Sequence, residues 1–514
     1  MFDLLLPLLL AQNPQVPAQP ETSAQENLLL PHKAPSSETP TEENPETTPE
    51  ITAPRPAVTP MVVDYQPVLP LPGGLDQIPV FNSNSPEVIS QEGILLSTFP
   101  RGSKANPSAH LEMPLSGRFD IFTHHISRPA GQPRTLYQGL IVNNPTGQTR
   151  TLRVLQGLSY INSTDAPFRE LLPLVRDPQG YVFSGPGSRL VGDLLRGKSQ
   201  DIFPRVLRIP PYSTEVLFNL PIPPSSARST YLQVESDGGL YIANLAKYEV
   251  EDVIEPFSDI AFMSTGKTQD GDPPKKPEPV VVRRSPNLDE WRRLLTSGRL
   301  VEPRDRAPVP TNDGSQIIYG RVAGISVGSQ WQATITDTAN ATSFTIPEPG
   351  KSVSFPISTT TTGTFNTAQV HSAPMSARYR DTALEGHGNY LVHYDLTFPL
   401  FNPTNQTEKV SLIFQTPIKE NKHNDRLLFF ETPPEQIFYR GSVRVRYPDW
   451  SGKEVEEYFH LVQRRGELGE PLVTLDIPAK TTKTAKIDFF YPPDATPPQV
   501  ITVTTLSDSP EQGR

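Results

Sequence analysis

From about residue 62 onward the chain alternates apolar and polar positions. Tyr390, Val392, Tyr394, Leu396, Phe398 and Leu400 fall on one face of a strand, with His393, Asp395 and Thr397 on the other. That period of two is the signature of a half-buried strand. The same alternation recurs at Val216-Phe218-Leu220-Ile222, Val443-Val445-Tyr447 and Ala485-Ile487-Phe489-Tyr491. Turn signals separate such runs at Pro72-Gly73-Gly74, Asn312-Asp313-Gly314 and Pro448-Asp449-Trp450-Ser451-Gly452. Many short strands with polar outer faces predict an all-β chain of tandem antiparallel β-sandwich domains. Helix signals are few. Asn287 to Leu295 carries a candidate N-cap at Asn287 and acids in its first turn, and Arg189 to Gly197 is a second.

Two internal echoes predict that the architecture is duplicated. Asn144-Pro145-Thr146-Gly147-Gln148-Thr149 returns as Asn402-Pro403-Thr404-Asn405-Gln406-Thr407. Asn followed by Pro suits a type I turn, so each is read as a hairpin tip. Ile209-Pro210-Pro211-Tyr212-Ser213-Thr214, before a strand ending in Pro223-Pro224, returns as Ile477-Pro478-Ala479-Lys480-Thr481-Thr482, before a strand ending in Pro492-Pro493. Unrelated hairpins that share turn chemistry are the alternative. The division expected is an apolar segment 1–11, a tether 12–60, a β-sandwich domain 62–265, a polar Pro-rich linker 266–286, a helix and connector 287–314, and a second β-sandwich domain 315–508.

Composition sharpens the ends of the chain. Leu4 to Ala11 is the only strongly apolar run, and as a helix it would span about 12 Å, far short of a bilayer core. It resembles the apolar region of an export signal closing on the small residue Ala11, with a buried N-terminal strand as the alternative. Asp3 and the absence of basic residues at the start depart from the export pattern, so either the true start lies upstream of Met1 or the signal is weak. Residues 12–60 hold eleven prolines, and seven glutamates against Lys33 and Arg55. Such a segment cannot bury enough apolar surface to offset its ordering entropy, and is expected to be a disordered spacer. Over the whole chain 59 of 514 residues are proline, about twice the usual share.

Charge and cysteine exclude several function classes. The net charge is −10, with 46 Lys and Arg against 56 Asp and Glu, which argues against a general nucleic-acid binder. Cysteine is absent, so disulfides, thiolate metal sites and cysteine nucleophiles are absent too.

Candidate chemistry is sparse. Gly324-Ile325-Ser326-Val327-Gly328 matches the G-x-S-x-G pattern of a nucleophile elbow, but a strand, not a helix, is predicted after it, so Ser326 is read as structural. Thr265-Gly266-Lys267-Thr268 ends like a P-loop with Ala261 in place of the first glycine, and no strand–helix unit surrounds it. His124 and His125 are adjacent on a strand, so they point to opposite faces and cannot easily share an ion, although one of them could join a ligand such as His110. His387 lies in a glycine-rich turn and His393 on a polar strand face. Arg444 and Arg446 share a face opposite Val443 and Val445, with Trp450 at the adjoining turn; planar groups on a β surface suit contacts to sugars, anions or a protein partner. Arg444, Arg446, Trp450 and His124 are therefore the candidate surface-binding residues, with a solvated strand face as the alternative for the arginines. The Thr359-Thr360-Thr361-Thr362 run is read as a polar strand or loop. No catalytic, metal or cofactor residue is assigned, and no cofactor is expected.

Phe81-Asn82-Ser83-Asn84-Ser85-Pro86-Glu87, Gly93-Ile94-Leu95-Leu96-Ser97-Thr98-Phe99-Pro100, Gly117-Arg118-Phe119-Asp120, His387-Gly388-Asn389-Tyr390 and the run from Tyr491-Pro492-Pro493-Asp494 to Val500 are unusual strings. Together they resemble the cyanobacterial domain-of-unknown-function 3370 family, from about residue 62 to 505. The resemblance implies an exported or cell-envelope protein and supplies no catalytic residues. The resulting expectation is a tethered, non-enzymatic protein of the periplasm or envelope, presenting β-sandwich surfaces to glycan or envelope protein partners. An envelope polysaccharide hydrolase whose carboxylates converge from separate strands, and an assembly factor that pairs strands with a partner, are the alternatives.

Overall fold

The computed structural model describes residues 60–254, 279–309 and 317–507. The apolar start, the tether up to residue 59, the Thr265–Thr268 run, residues 266–278 of the linker and the Asn312-Asp313-Gly314 turn lie outside the described residues. The described body is all-β with two α-helices.

The first half contains β1 (Met61–Tyr65), β2 (Pro79–Ser83), β3 (Leu115–Ser127), β4 (Leu136–Asn143), β5 (Arg150–Ile161), β6 (Leu174–Arg176), helix α1 (Pro186–Leu195), β7 (Val206–Ile209), β8 (Thr214–Ile222) and the 22-residue β9 (Ala227–Tyr248). A ribbon of β10 (Val250–Ile254) and β11 (Val280–Arg284) follows, then helix α2 (Leu288–Ser297). The second half contains β12 (Ala323–Val327), β13 (Gln330–Thr334), β14 (Ser352–Ile357), β15 (His393–Phe401), β16 (Glu408–Gln415), β17 (Arg426–Phe430), β18 (Ile437–Pro448), β19 (Glu454–Arg464), β20 (Pro471–Ile477), β21 (Thr482–Phe490) and β22 (Gln499–Thr505).

In the first half β7, β5, β9 and β3 form one layer, while β4 and the strand Gly93–Ser97 pair with the far end of β9 and β8 pairs with β4. β9 serves both layers because its register breaks between Ser236 and Leu240. Phe119, Ile121, Leu140, Val142, Leu152, Leu232, Val234 and Ile242 fill the space between the layers. In the second half the sheet β13–β15–β21–β18–β19 faces the sheet β14–β22–β16–β20. Leu396, Phe398, Leu412, Phe414, Val443, Ile487, Phe489 and Val503 supply their shared core, the inward positions of the alternation described above.

Six strands of each half repeat. In chain order β3, β4, β5, β7, β8 and the first half of β9 correspond to β14, β15, β16, β20, β21 and β22. The antiparallel pairs β3–β9, β9–β5, β5–β7 and β4–β8 recur as β14–β22, β22–β16, β16–β20 and β15–β21. The echoed Asn-Pro-Thr loops occupy equivalent places in this scheme, but they are not hairpin tips. β4 and β5 do not pair with each other, nor do β15 and β16; each loop carries the chain from one sheet to the facing one. What turn chemistry alone hides is the reach of the buried Asn. Nδ2 of Asn144 donates to the carbonyls of Gln148, Ile209 and Pro210 at 2.7, 3.0 and 3.0 Å. Nδ2 of Asn402 donates to those of Gln406 and Ile477, both at 2.8 Å. The turns they meet match as well, with Tyr212 at φ +55° and Lys480 at φ +56°.

Strand pairing crosses the division drawn at 266–314 in both directions. β12 extends the first-half sheet through β2, and Gly74–Leu75 pairs with β13. β1 pairs with β17, and β6 forms the edge of the second-half sheet beside β19. The expected polar linker needs correction at 280–284: three consecutive valines there form a strand instead. Both helices form where expected. α2 has a capping box in which the Asn287 side chain accepts from Glu290 N and the Glu290 carboxylate accepts from Asn287 N. α1 begins three residues earlier than the sequence suggests, at Pro186, a position whose missing N–H costs a helix nothing.

Replacing Asn144 or Asn402 by Ala strands two or three buried carbonyls, so each variant is expected to lose about 2–3 kcal/mol of stability in urea unfolding. Loss at one site and none at the other would show that the two loops are not equivalent.

Candidate functional site

The outward face of the β13–β15–β21–β18–β19 sheet arranges its side chains in cross-strand rows. One row runs Glu456, Arg446, Lys486, Thr397, Thr334, and the next Tyr458, Arg444, Asp488, Asp395, Gln332. These are the polar positions that alternate with the core residues on the same strands. Helix α1 lies over the Arg444 end, where Nη1 of Arg444 donates to the carbonyl of Leu195 at 3.2 Å. The row through Arg446 and Lys486 stays open, with Glu456 and Thr334 exposed and Thr397, Lys486 and Arg446 half-buried; in the neighbouring row the far end is open too, with Gln332 exposed and Asp395 half-buried.

Arg444 and Arg446 share a face, as the alternation predicts, but they are not free. Both turn onto the fully buried Asp488: Nη2 of Arg444 donates to Oδ2 at 2.6 Å, its Nε to Oδ1 at 3.0 Å, and Nη2 of Arg446 to Oδ1 at 3.4 Å. His393 lies 3.3 Å from the same carboxylate. Burial alone would raise the Asp488 pKa; hydrogen bonds and charge from His393 and Arg444 outweigh it and hold the carboxyl down at about 2. Asp395 stands directly opposite Asp488 on the neighbouring strand. A glycosidase needs a carboxylate pair that flanks the scissile bond, and Asp488 is fully buried, with no surface to offer a sugar.

Trp450 marks the rim. It sits at the tip of the β18–β19 hairpin, 95% exposed. Asp449 ties the turn together: its Oδ1 accepts from Ser451 Oγ at 2.7 Å, Ser451 N at 2.8 Å and Lys453 N at 3.0 Å. Those bonds hold the Asp449 carboxyl below the usual carboxylate range. The indole is therefore presented on an ordered turn, four residues beyond Arg446, at most about 13 Å of strand away.

His124 is not a surface residue. It is buried, with Nδ1 2.8 Å from Ser229 Oγ and Nε2 3.6 Å from Glu87, because the second half covers the β3 face that a free strand would leave open. Burial lowers its pKa. His125 points to the opposite face, donating from Nδ1 to the carbonyl of Pro86 at 2.9 Å, and burial holds it down at about 3. His110 pairs with Ser97 Oγ at 2.8 Å. Ser326 is buried within β12 and is followed by strand β13, so no elbow geometry forms. Thr359 and Thr360 are buried, and Tyr319 Oη bonds Thr361 and Thr362. Among the described residues no group of three or more His, Asp or Glu is placed to hold a metal ion, and no helix is long and apolar enough to cross a membrane. Sequence alone places Asp395 on a polar strand face without joining it to the arginines, and it does not single out Asp488, Lys486 or Tyr458. Their one signal was outward phase opposite Ile487, Leu396 and Phe459.

Because the folded-state pKa of Asp488 lies below its unfolded value of roughly 3.9, its stabilisation is present above pH 4 and lost as pH falls to 2. Urea unfolding is expected to show about 2 kcal/mol lost across that window. Asp488→Asn should abolish this slope and, by leaving Arg444 without its anion, cost roughly 2–3 kcal/mol at pH 7. An unchanged slope in the variant would remove Asp488 from this role.

No curated protein matches the chain. Among solved structures it is similar to Lac15 from a marine microbial metagenome, at 10% identity and a TM-score of 0.10, over 86% of this chain and 66% of that one. The chain thus spans just under two thirds of Lac15. It is also similar to procruciferin, an 11S globulin from Brassica napus (10% identity, TM-score 0.09, 81% of this chain and 85% of that one), and to the coconut allergen cocosin (11%, 0.09, 87% and 86%). At such scores these likenesses support no argument about fold or function. A family model does match, over residues 66–505. The chain belongs to the family described as protein of unknown function (DUF3370).

Proposed function

We propose that this protein is a non-enzymatic, exported envelope protein that binds glycan along the open outward face of its second-half sheet. The observation that carries the reading is the pairing of that face with Trp450. A flat strip of amide, hydroxyl, carboxylate and cationic side chains offers hydrogen bonds to sugar hydroxyls, and one fully exposed indole at its rim offers an apolar plate for a sugar ring. The separation of Trp450 from Arg446, at most about 13 Å, suits a short run of linked sugars. Export and an envelope location are supported by the apolar Leu4–Ala11 segment, the Pro- and Glu-rich tract after it and the cyanobacterial resemblance. Asp488 is fully buried, out of reach of a sugar, which favours binding over hydrolysis.

The full chain should sediment with washed envelope polysaccharide. Trp291 and Trp331 are buried, so the exposed Trp450 should dominate acrylamide quenching and become protected when the polysaccharide is added. Trp450→Ala is expected to weaken binding at least tenfold with an unchanged melting temperature, since the side chain packs on nothing. Retention equal to wild type would reject the site, and release of reducing ends would reject the non-enzymatic reading.

A further inference from the structure

We propose that β11 is an assembly edge that pairs, antiparallel and about a two-fold axis, with β11 of a second copy of this chain. β10 and β11 form a two-stranded ribbon that joins no other sheet among the described residues. Such a ribbon is marginal by itself in water. Its apolar content is high and uncovered: Val253, Ile254, Val280, Val281 and Val282 are all exposed, on both faces. Ile254, Val280 and Val282 lie on one face, Val253 and Val281 on the other.

The ribbon's charges are satisfied within the chain. Arg283 pairs with Glu251 at 3.1 Å, and Arg284 with Asp252 at 2.6 Å and with Glu290 at 2.9 Å. Among the described residues one edge of backbone N–H and C=O groups on each strand, and the β-branched side chains beside it, meet no further strand, which calls for another extended strand.

Register and charge select both the edge and the partner. A two-fold antiparallel pairing centred on β10 would set Asp252 against Asp252 of the second copy, and like charges directly opposed are destabilising. Centred on β11, the same operation sets Val282 against Val282, Val281 against Arg283 and Val280 against Arg284. No like charges face each other, and each arginine keeps its own acid while its aliphatic stem lies along a valine. In the resulting four-stranded sheet the two acidic β10 edges lie outermost, where Asp252 opposes further growth. The product is a closed dimer and not a filament.

The chain contains no cysteine, so a single introduced thiol reports the contact. In the full chain carrying Val282→Cys, the two thiols would face each other across the axis at Cα separations of about 4.5–5.5 Å, within disulfide reach. Mild oxidation should yield covalent dimer rapidly, at least tenfold faster than for Asp252→Cys on the other edge. In sedimentation at micromolar concentrations the wild-type chain should be dimeric. Val282→Lys and Val282→Glu alone should each associate at least tenfold more weakly, and mixing the two should restore the dimer. That rescue requires both variants to be folded. A monomeric wild type, faster cross-linking through residue 252, or no rescue on mixing would overturn the proposal.

Discussion

Helix α1 lies against β5 and β9 of the first half and against β18 and β21 of the second, and the joining of the halves depends on its seating. Leu190, Val191, Leu194 and Leu195 share one buried cluster with Phe122, Leu158 and Tyr231 on one side and Leu391 and Phe490 on the other. The fit is tight enough to dictate residue type: a Cβ on Gly192 would stand 2.8 Å from Ser442 Oγ, and one on Gly187 would stand 2.7 Å from the ring of Pro493. The polar fastenings to the second half sit at the helix's C-terminal end. Arg444 donates to the carbonyl of Leu195, one of the groups a helix leaves unpaired there, while its other nitrogens hold Asp488. Arg196 lies over the Tyr458 ring at 4.1 Å. The arginines that the sequence suggests as a binding pair are in large part the means by which this helix is held.

The duplication sets the plan on which that helix was accommodated. Each six-strand unit is closed by an Asn whose side chain spans from one sheet-to-sheet loop to the turn facing it, so two sheets are clamped at the same end in both halves. The copies then diverge. In the first, β9 runs on past Gly238 and crosses into the second layer; in the second, β22 stops at Thr505 and β13 arrives parallel to β15 instead. The exchanged strands, β12 outward and β6 inward, exploit edges that this divergence leaves open.

Strand phase, both helices and the places of the echoed loops were legible in the sequence because each rests on local rules: period two, an Asn-led capping box, an Asn-Pro turn signal. What escaped is non-local. Nothing near Asn144 reveals that its amide reaches Ile209, 65 residues away. His124 reads as half exposed on a solitary strand and is buried only because the second half lies on β3. Val280 to Val282 sit beside a Pro-Lys run that masks a short strand. Asp488 reads as one more outward polar residue, since its burial is the work of a helix, Pro186–Leu195, that lies far earlier in the chain. The Trp450 hairpin was legible because its exposure follows from its turn alone.

Dimensions explain why a face is left free at all. A ten-residue helix is about 15 Å long and roughly 10 Å wide. The sheet it lies on has eight strands, seven of them side by side across about 29 Å, and its longest strand, β18, has twelve residues, about 40 Å. One helix therefore covers only a fraction of that area. Uncovered positions must remain polar for the sheet to stay in water, and the residues found there are Gln332, Thr334, Thr397, Lys486 and Glu456. The side chains beneath the helix are instead Arg444 and Asp488, which meet its burial by pairing. A single sheet face is thus divided by one short helix into a sealed ionic half, which holds the molecule together, and an open hydrogen-bonding half, at whose rim the hairpin sets Trp450.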